Sequence, residues 1–401
     1  MVGKVFPDEK GLKFCMIAYF THTLILHLII FQIVILLVII SNILITHLAR
    51  QHSYPVTFPM VSILVPARNE ERNIARCVKS LLALDYPSFE VLVLDDQSSD
   101  NTRAILEKIS HTHSKLKVLY GDPPPGSQVG KNWACSQLAR EARGELLFFT
   151  DADTFHQPET LKTIVTALEG EQADLLTGFP RQEVQTWGER FLVPFFAWAM
   201  LCFNPLALAY RLRLPALSSA LGQMMLFRRE AYLKIGGHDG ISSSIVDDLM
   251  LARKIKSYGM CWRVIYIADL ISCRMYRDSR EAFNGFAKNL FAAFDFRLLP
   301  FLFICLWLAI MFWEPLIILM LMLVGQISHI QASNLSICIG LSILLWLLPY
   351  IYMGIPYGLA LLYPVSILAI ELVAFTSLWK SLAGNISWKD RKIPKPHWKW
   401  I

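Results

Sequence analysis

Asp151 and Asp153 are separated by a single alanine and follow directly on the apolar run 146–149. Two carboxylates at that spacing can hold one hard divalent ion, Mg2+ or Mn2+, by oxygen ligation. Such an ion usually completes its shell with water and substrate phosphates. A D-x-D triplet is frequent by chance in a long chain, so its position carries the argument. Four continuous apolar residues suit a central strand of a parallel sheet, and open α/β sheets bind ligands beyond the carboxyl ends of such strands. Other charged residues recur at equivalent places. Arg68 and Glu70 follow the apolar run 61–65 and Pro66, while Asp95 and Asp96 close the run 89–94. Lys131 follows a Pro/Gly-rich loop at 121–130, and Asp247 and Asp248 open a helical pattern over 246–258.

The elements that position these residues alternate. Strands are predicted at 61–65, 89–94, 115–120, 146–149, 174–179 and 222–229, and helices at about 70–84, 131–142, 158–168, 229–235 and 246–258, with Asp100 as the cap of a helix opening near Thr102. Strand–helix–strand repetition implies right-handed β-α-β units, an α/β fold with a mostly parallel sheet.

The composition adds a second layer. Hydrophobic residues make up 54% of the 401 residues and charged ones 17%, with a mean hydropathy of +0.43, too apolar for an ordinary soluble enzyme. The run 24–48 is long enough to span a bilayer and lacks a cleavage site, so it is expected to be an uncleaved anchor. Three further stretches, 298–324, 335–353 and 359–378, follow the α/β region, the first holding Glu314-Pro315 and readable as a broken pair. The expected division is an anchor at 1–53, a globular domain at 54–297, transmembrane helices at 298–380 and a basic tail at 381–401. Arg50, Arg68, Arg72 and Arg76 place the globular domain in the cytoplasm of a multi-pass protein, and an even number of C-terminal spans keeps the tail on that side. The uncharged run 191–210 could also cross. Crossing would separate Asp151 and Asp153 from Asp247 and Asp248, so an interfacial or re-entrant element rimmed by Arg190, Arg211 and Arg213 is expected. The net charge of +6 is concentrated in the tail rather than in a nucleic-acid patch, and eight scattered cysteines without a C-x-x-C pair read as small buried hydrophobes.

Five ordered segments, VPARNEE at 65–71, LDDQSSDNT at 94–102, GKNWA at 130–134, TDADT at 150–154 and VDDLMLARKIK at 246–256, resemble the family 2 glycosyltransferases of the GT-A fold. The likeness is greatest to membrane-anchored members of the carotenoid and hopanoid type. It implies a GT-A nucleotide-sugar-binding domain, Rossmann-like with a mostly parallel sheet, acting with a UDP-sugar in preference to other donors and a lipid acceptor. It also implies roles. Pro66, Arg68 and Glu70 belong to the donor-binding edge, with Glu70 on the ribose. Asp95 or Asp96, preferably Asp96, takes the base, and Lys131 and Asp151 contact the donor. Asp151 and Asp153 hold the metal, Asp248 is the general base, and Asp247 supports it. Plainer readings stand beside these: a helix-end carboxylate for Glu70, an Asx-turn for one of Asp95 and Asp96, a solvated lysine for Lys131, and helix N-terminal acids for Asp247 and Asp248. The Gln-x-x-Arg-Trp motif of processive polysaccharide synthases is absent. In its region, 275–294, Arg277, Arg280 and Lys288 are possible phosphate contacts, although an amphipathic surface helix is an equal alternative. The segment 384–391, GNISWKDR, resembles the tail of lipid transferases. The expected function is inverting transfer of a single sugar to a membrane lipid; a processive synthase and a non-catalytic membrane protein are the alternatives.

Overall fold

The computed structural model of the chain describes residues 9–126, 128–326, 332–384, 387–388, 391–392 and 397–400. Ten strands serve the domain: β1 (Val61–Ala67), β2 (Phe89–Asp95), β3 (Leu116–Tyr120), β4 (Leu146–Phe149), β5 (Thr154–His156), β6 (Leu175–Phe179), β7 (Arg181–Gln182), β8 (Met225–Arg228), β9 (Trp262–Tyr266) and β10 (Ile271–Cys273). Helices are α1 (Glu9–Leu48), α2 (Ile74–Leu82), α3 (Thr102–Ser110), α4 (Gly130–Glu141), α5 (Thr160–Gly170), α6 (Trp187–Phe203), α7 (Leu206–Arg211), α8 (Arg229–Lys234), α9 (Asp247–Ser257), α10 (Ser279–Asn289), α11 (Leu298–Leu323), α12 (Ala332–Tyr352) and α13 (Tyr363–Ala383).

Seven strands form the main sheet in the order β3-β2-β1-β4-β8-β6-β9, with only β8 running against its neighbours. The chain builds outward from β1 to β3 and then returns to place β4 on the other side of β1. That reversal leaves a crevice beyond the carboxyl ends of β1 and β4, where open α/β sheets take their ligands. Both faces of the sheet are covered. Ile74, Cys77, Val78 and Leu81 recur at three- and four-residue steps along α2 and are all buried, the stripe of a helix packed on a sheet. β1 continues through Pro66 to Ala67, two residues beyond expectation; β4 has already ended opposite Leu64, which lets a residue without an N–H sit there. Short strands at β5, β7 and β10, which form a separate small sheet, and β9 of the main sheet were not foreseen.

Among the described residues, four helices are long and apolar enough to cross a membrane: 23–48 within α1, α11, α12 and the segment 357–383 containing α13. They leave Ile30, Leu37, Phe303, Leu323 and Trp379 exposed, an apolar outer surface typical of a chain embedded in lipid. The stretch 298–324 holds one helix, α11 of 26 residues, with Pro315 inside it rather than a broken pair; neighbouring helices in an apolar layer make such a proline tolerable. The run 191–210 divides into α6 and α7 at Asn204-Pro205. Asn42 of α1 holds the break: its Nδ2 donates to the carbonyls of Leu201 and Asn204, both at 2.9 Å, and its Oδ1 accepts from Leu206 N at 3.0 Å. One buried amide thus satisfies groups that two helix ends leave open. Trp198 of α6 stacks on Trp346 of α12 with centroids 4.4 Å apart and donates to Leu345 O at 3.0 Å.

The last helices do not simply alternate. Tyr352, at the end of α12, bonds Thr46 of α1 at 2.6 Å, and Gly354 lies against Arg181 of the domain. The chain then dips back, so that Tyr363 packs against Phe312 and Trp346; Phe312 is about 21 Å along α11 from Leu298 at the usual helical rise. From there α13 rises to the domain, where Ser377 Oγ accepts from Phe291 N and Lys380 donates to Asn284 of α10. The tail ends at the same level: Leu298 N donates to Lys399 O at 2.8 Å. Residues 385–386, 389–390 and 393–396, including part of the GNISWKDR segment, lie outside the described residues.

Candidate active site

Strand register explains how distant motifs meet. Ala67 pairs with Asp95, so the loops after β1 and β2 run side by side. Arg68 Nη1 donates to Asp96 O at 2.6 Å, Asn69 N to Ser98 Oγ at 2.9 Å and Glu70 N to Thr102 Oγ1 at 2.8 Å. Asn69 and Gln97 both have positive φ, 51° and 57°, a conformation that side chains adopt seldom and mostly where a site demands it. Glu70 accepts from Asn73 Nδ2 at 2.9 Å. The N-cap of α3 is Asn101, one residue after the expected Asp100 and without a side-chain cap bond; the Asp100 side chain instead accepts from Thr102 N at 3.0 Å just ahead of the helix.

The turn after β4 is braced from below. Thr154 Oγ1 donates to Asp151 O at 2.7 Å, Thr150 Oγ1 to Gln223 O at 2.9 Å, and His156 Nε2 lies 2.9 Å from Thr154 Oγ1. Burial pushes His156 down to about 3, so it is a neutral member of this brace. Above the turn, Lys131 Nζ sits 2.9 Å from Asp151 Oδ1 and 3.7 Å from Asp247 Oδ2. Burial works against its charge, and the Asp151 and Asp247 carboxylates more than reverse that, holding Lys131 well above the ordinary lysine range. It is not a solvated surface lysine.

Asp247 and Asp248 begin α9, where free N–H groups favour negative charge. Asp248 Oδ2 accepts from Gly222 N at 3.0 Å and its Oδ1 from Leu249 N at 2.8 Å. Burial, and then the charge of Asp247, raise Asp248 to about 6. Burial also disfavours the charge on Asp247, but Lys131 and His238 outweigh it and keep this carboxyl below its usual range. The two neighbours are therefore driven apart, one firmly ionised and one poised near neutrality, a pattern that marks acid–base sites.

Pro66, Arg68, Glu70, Asp96, Lys131, Asp151, Asp153, Asp247 and Asp248 all line one cavity of about 320 Å3, within the size range of small-molecule sites. Asp95 does not: its carboxylate turns back into the loop and accepts from Ser98 N at 3.3 Å. The cavity also gathers residues that the sequence did not single out. Gly222 is one, and a Cβ there would stand 2.9 Å from Lys131 Nζ, so the absence of a side chain keeps this corner open. Phe196 from α6 and Phe286 from α10, stacked at 4.9 Å, form an aromatic wall with Tyr276, and Lys288, expected from the sequence as a phosphate contact, also lines the cavity. Burial, reinforced by Lys131, lowers Lys288 to about 8. Arg277 reaches Asn73 Oδ1 at 2.7 Å.

No group of three or more His, Cys, Asp or Glu side chains able to hold a metal ion occurs among the described residues. Asp151 and Asp153 offer hard oxygen donors from one turn. That pair fits an ion whose remaining positions are filled by phosphate and water.

Residues 62–236 match the model of Glycosyl transferase family 2. This domain belongs to glycosyl transferase family 2. The family 2 domain has relatives with modest identity. It is 32% identical over 124 residues to the glycosyltransferase AglE of Haloferax volcanii, covering 30% of this chain and 40% of the relative. It is 28% identical over 204 residues to the probable glycosyltransferase YdaM of Bacillus subtilis, covering 50% and 47%. To the 4,4'-diaponeurosporenoate glycosyltransferase of Staphylococcus aureus it is 26% identical over 234 residues, covering 57% and 60%. The matches thus span from 40% to 60% of these relatives' lengths. Among solved structures, a mannosyltransferase from Pyrobaculum calidifontis in complex with GDP-Man and Mn2+ aligns over 88% of this chain and 99% of its own, at 19% identity and a TM-score of 0.49. The family 2 domain has the GT-A type of mixed, mostly parallel sheet flanked by helices, joined to long apolar helices at both ends.

Proposed function

We propose that the chain is an inverting glycosyltransferase that moves one sugar from a nucleotide-sugar, preferentially a UDP-sugar, to the hydroxyl or carboxylate of a membrane lipid. The supporting observation is that one cavity has both a carboxylate-lined wall on strand ends and an aromatic wall on α6 and α10, helices packed against the membrane-length layer. In this reading Arg68, Glu70 and Asp96 receive the nucleoside, with Glu70 accepting from the ribose hydroxyls. Lys131 faces the diphosphate. Asp151 and Asp153 would hold Mg2+ or Mn2+, which when bound neutralises the leaving diphosphate as a Lewis acid. Asp248 takes the proton of an acceptor hydroxyl as that oxygen bonds the anomeric carbon and the bond to the diphosphate breaks. An oxocarbenium-like transition state of this kind is shared with inverting glycoside hydrolysis. Asp247 supports Asp248 and orients the acceptor.

The aromatic wall supports an acceptor that keeps its tail in the bilayer while its head group reaches Asp248. We place the domain, 54–297, on the cytoplasmic side, because basic residues follow the first span at Arg50 and onward. The test uses membranes containing the full chain, total lipid extract, Mn2+ and a panel of UDP- and GDP-sugars, read by mass spectrometry. A single-hexose mass shift on a lipid is expected, with Asp248→Asn reducing it by about 10²- to 10⁴-fold. Long polysaccharide products, or no product with any donor, would overturn the reading.

A further inference from the structure

A fully buried histidine lies behind Asp247, outside the cavity lining. It is delivered by a tight turn after α8, in which Gly236 and Gly237 have φ of 79° and 49°. A Cβ on Gly237 would stand 2.5 Å from the Tyr232 ring, so glycine lets the chain close over that ring. Tyr232 Oη then accepts the backbone N–H of His238 at 3.1 Å and lies 2.9 Å from His238 Nδ1. Among the described residues the hydroxyl has no other partner, so its single hydrogen goes to Nδ1. Burial keeps the imidazole neutral, and its own hydrogen is therefore on Nε2. That atom faces Asp247 Oδ2 at 3.8 Å. Both are buried, and neither has a hydrogen-bond partner among the described residues. A closing movement of about 0.8 Å makes the contact a hydrogen bond.

We propose that His238 is a positioning residue, locked by Tyr232 as the Nε2–H tautomer, which donates toward Asp247 and fixes that carboxylate beside Asp248. The proposal rests on the reading of Asp247 and Asp248 as the acceptor-activating pair. A donor to an anion stabilises its charged form. His238 therefore favours the doubly ionised pair, and its loss moves protonation of the pair to higher pH. The other titratable groups acting on the pair are Lys131 and Cys135 from α4 and Lys288 from α10, with Asp151 from the β4 turn linked to it through Lys131; Tyr232, Lys131 and Asp239 surround His238.

The decisive experiment is an infrared titration of aspartate carboxyl stretching in purified full-length protein, with Asp247→Asn and Asp248→Asn used to assign the bands. His238→Phe keeps the ring packing but removes the donor, and should raise the pair's midpoint by roughly 0.5 to 1 pH unit. His238→Gln, which restores an N–H near the position of Nε2, should return most of that shift. Tyr232→Phe removes the tautomer lock without altering the histidine and should shift the midpoint in the same direction. The acid limb of transfer should follow. An unchanged midpoint in His238→Phe and Tyr232→Phe, or a Gln variant that behaves as the Phe variant does, overturns the proposal. The infrared readout needs no turnover, so failure to find a sugar donor would defeat the glycosyltransfer reading while leaving His238 decided.

Discussion

Glu70, Asp96 and Asp151 reach the cavity from loops that follow β1, β2 and β4, whereas Phe196, Phe286 and Lys288 reach it from α6 and α10. The first wall is set by strand register and by hydrogen bonds between adjacent loops, such as Arg68 to Asp96 and Glu70 to Thr102. The second is set by helix packing over long sequence separations, such as Trp198 on Trp346 and Lys380 on Asn284. The polar wall is consequently a property of the α/β domain alone. The aromatic wall depends on the membrane-length helices behind it, so the two can be perturbed separately.

Asp151→Asn should give the largest separation. Donor binding in Mn2+ should weaken by at least about 100-fold, since loss of residues that merely orient metal ligands already costs 10- to 100-fold. Partitioning of a fluorescent lipid acceptor into the protein should be unchanged; calorimetry with UDP-sugars and lipid fluorescence would read the two effects. Equal loss of both would break the division between walls. The next effect is on pH. As the proposed base, Asp248 would act only when ionised, and burial with Asp247 raises it to about 6. Transfer measured as kcat/KM should therefore fall about tenfold for each pH unit below about 6, while donor binding to the Asp248→Asn variant should show no such limb. The smallest effect is expected from Phe196→Ala. Removing one member of the stack with Phe286 should raise the KM for lipid by roughly tenfold, leaving the KM for donor within about twofold.

Much of the polar wall was legible because parallel strands bring their carboxyl ends to one edge. Short motifs that follow apolar runs there are neighbours in space whatever their distance in sequence. Asp95 shows the limit of that logic: adjacent residues at a strand end point in alternate directions, and only Asp96 faces the cavity. Gly222 gave no chemical signal, since its contribution is a backbone N–H and the lack of a side chain. Phe196 lay in an uncharged run whose composition specifies burial but not which helix covers it. Asn42 was hidden in the same way, a single amide in an apolar anchor that proves to hold the break between α6 and α7. His238 stood in a Gly-Gly-His turn, and nothing in its neighbours pointed to Asp247 nine positions on.

The dip between Tyr352 and Tyr363 bears on how the chain's sidedness is measured. Counting apolar stretches after the domain gives three, an odd number that assigns the two ends of that region to opposite faces. Because α13 starts partway through the layer and climbs toward α10, Lys399 meets Phe296 and Leu298 at the start of α11 instead. A reporter fused to the C-terminus will therefore report the compartment of the α/β domain itself.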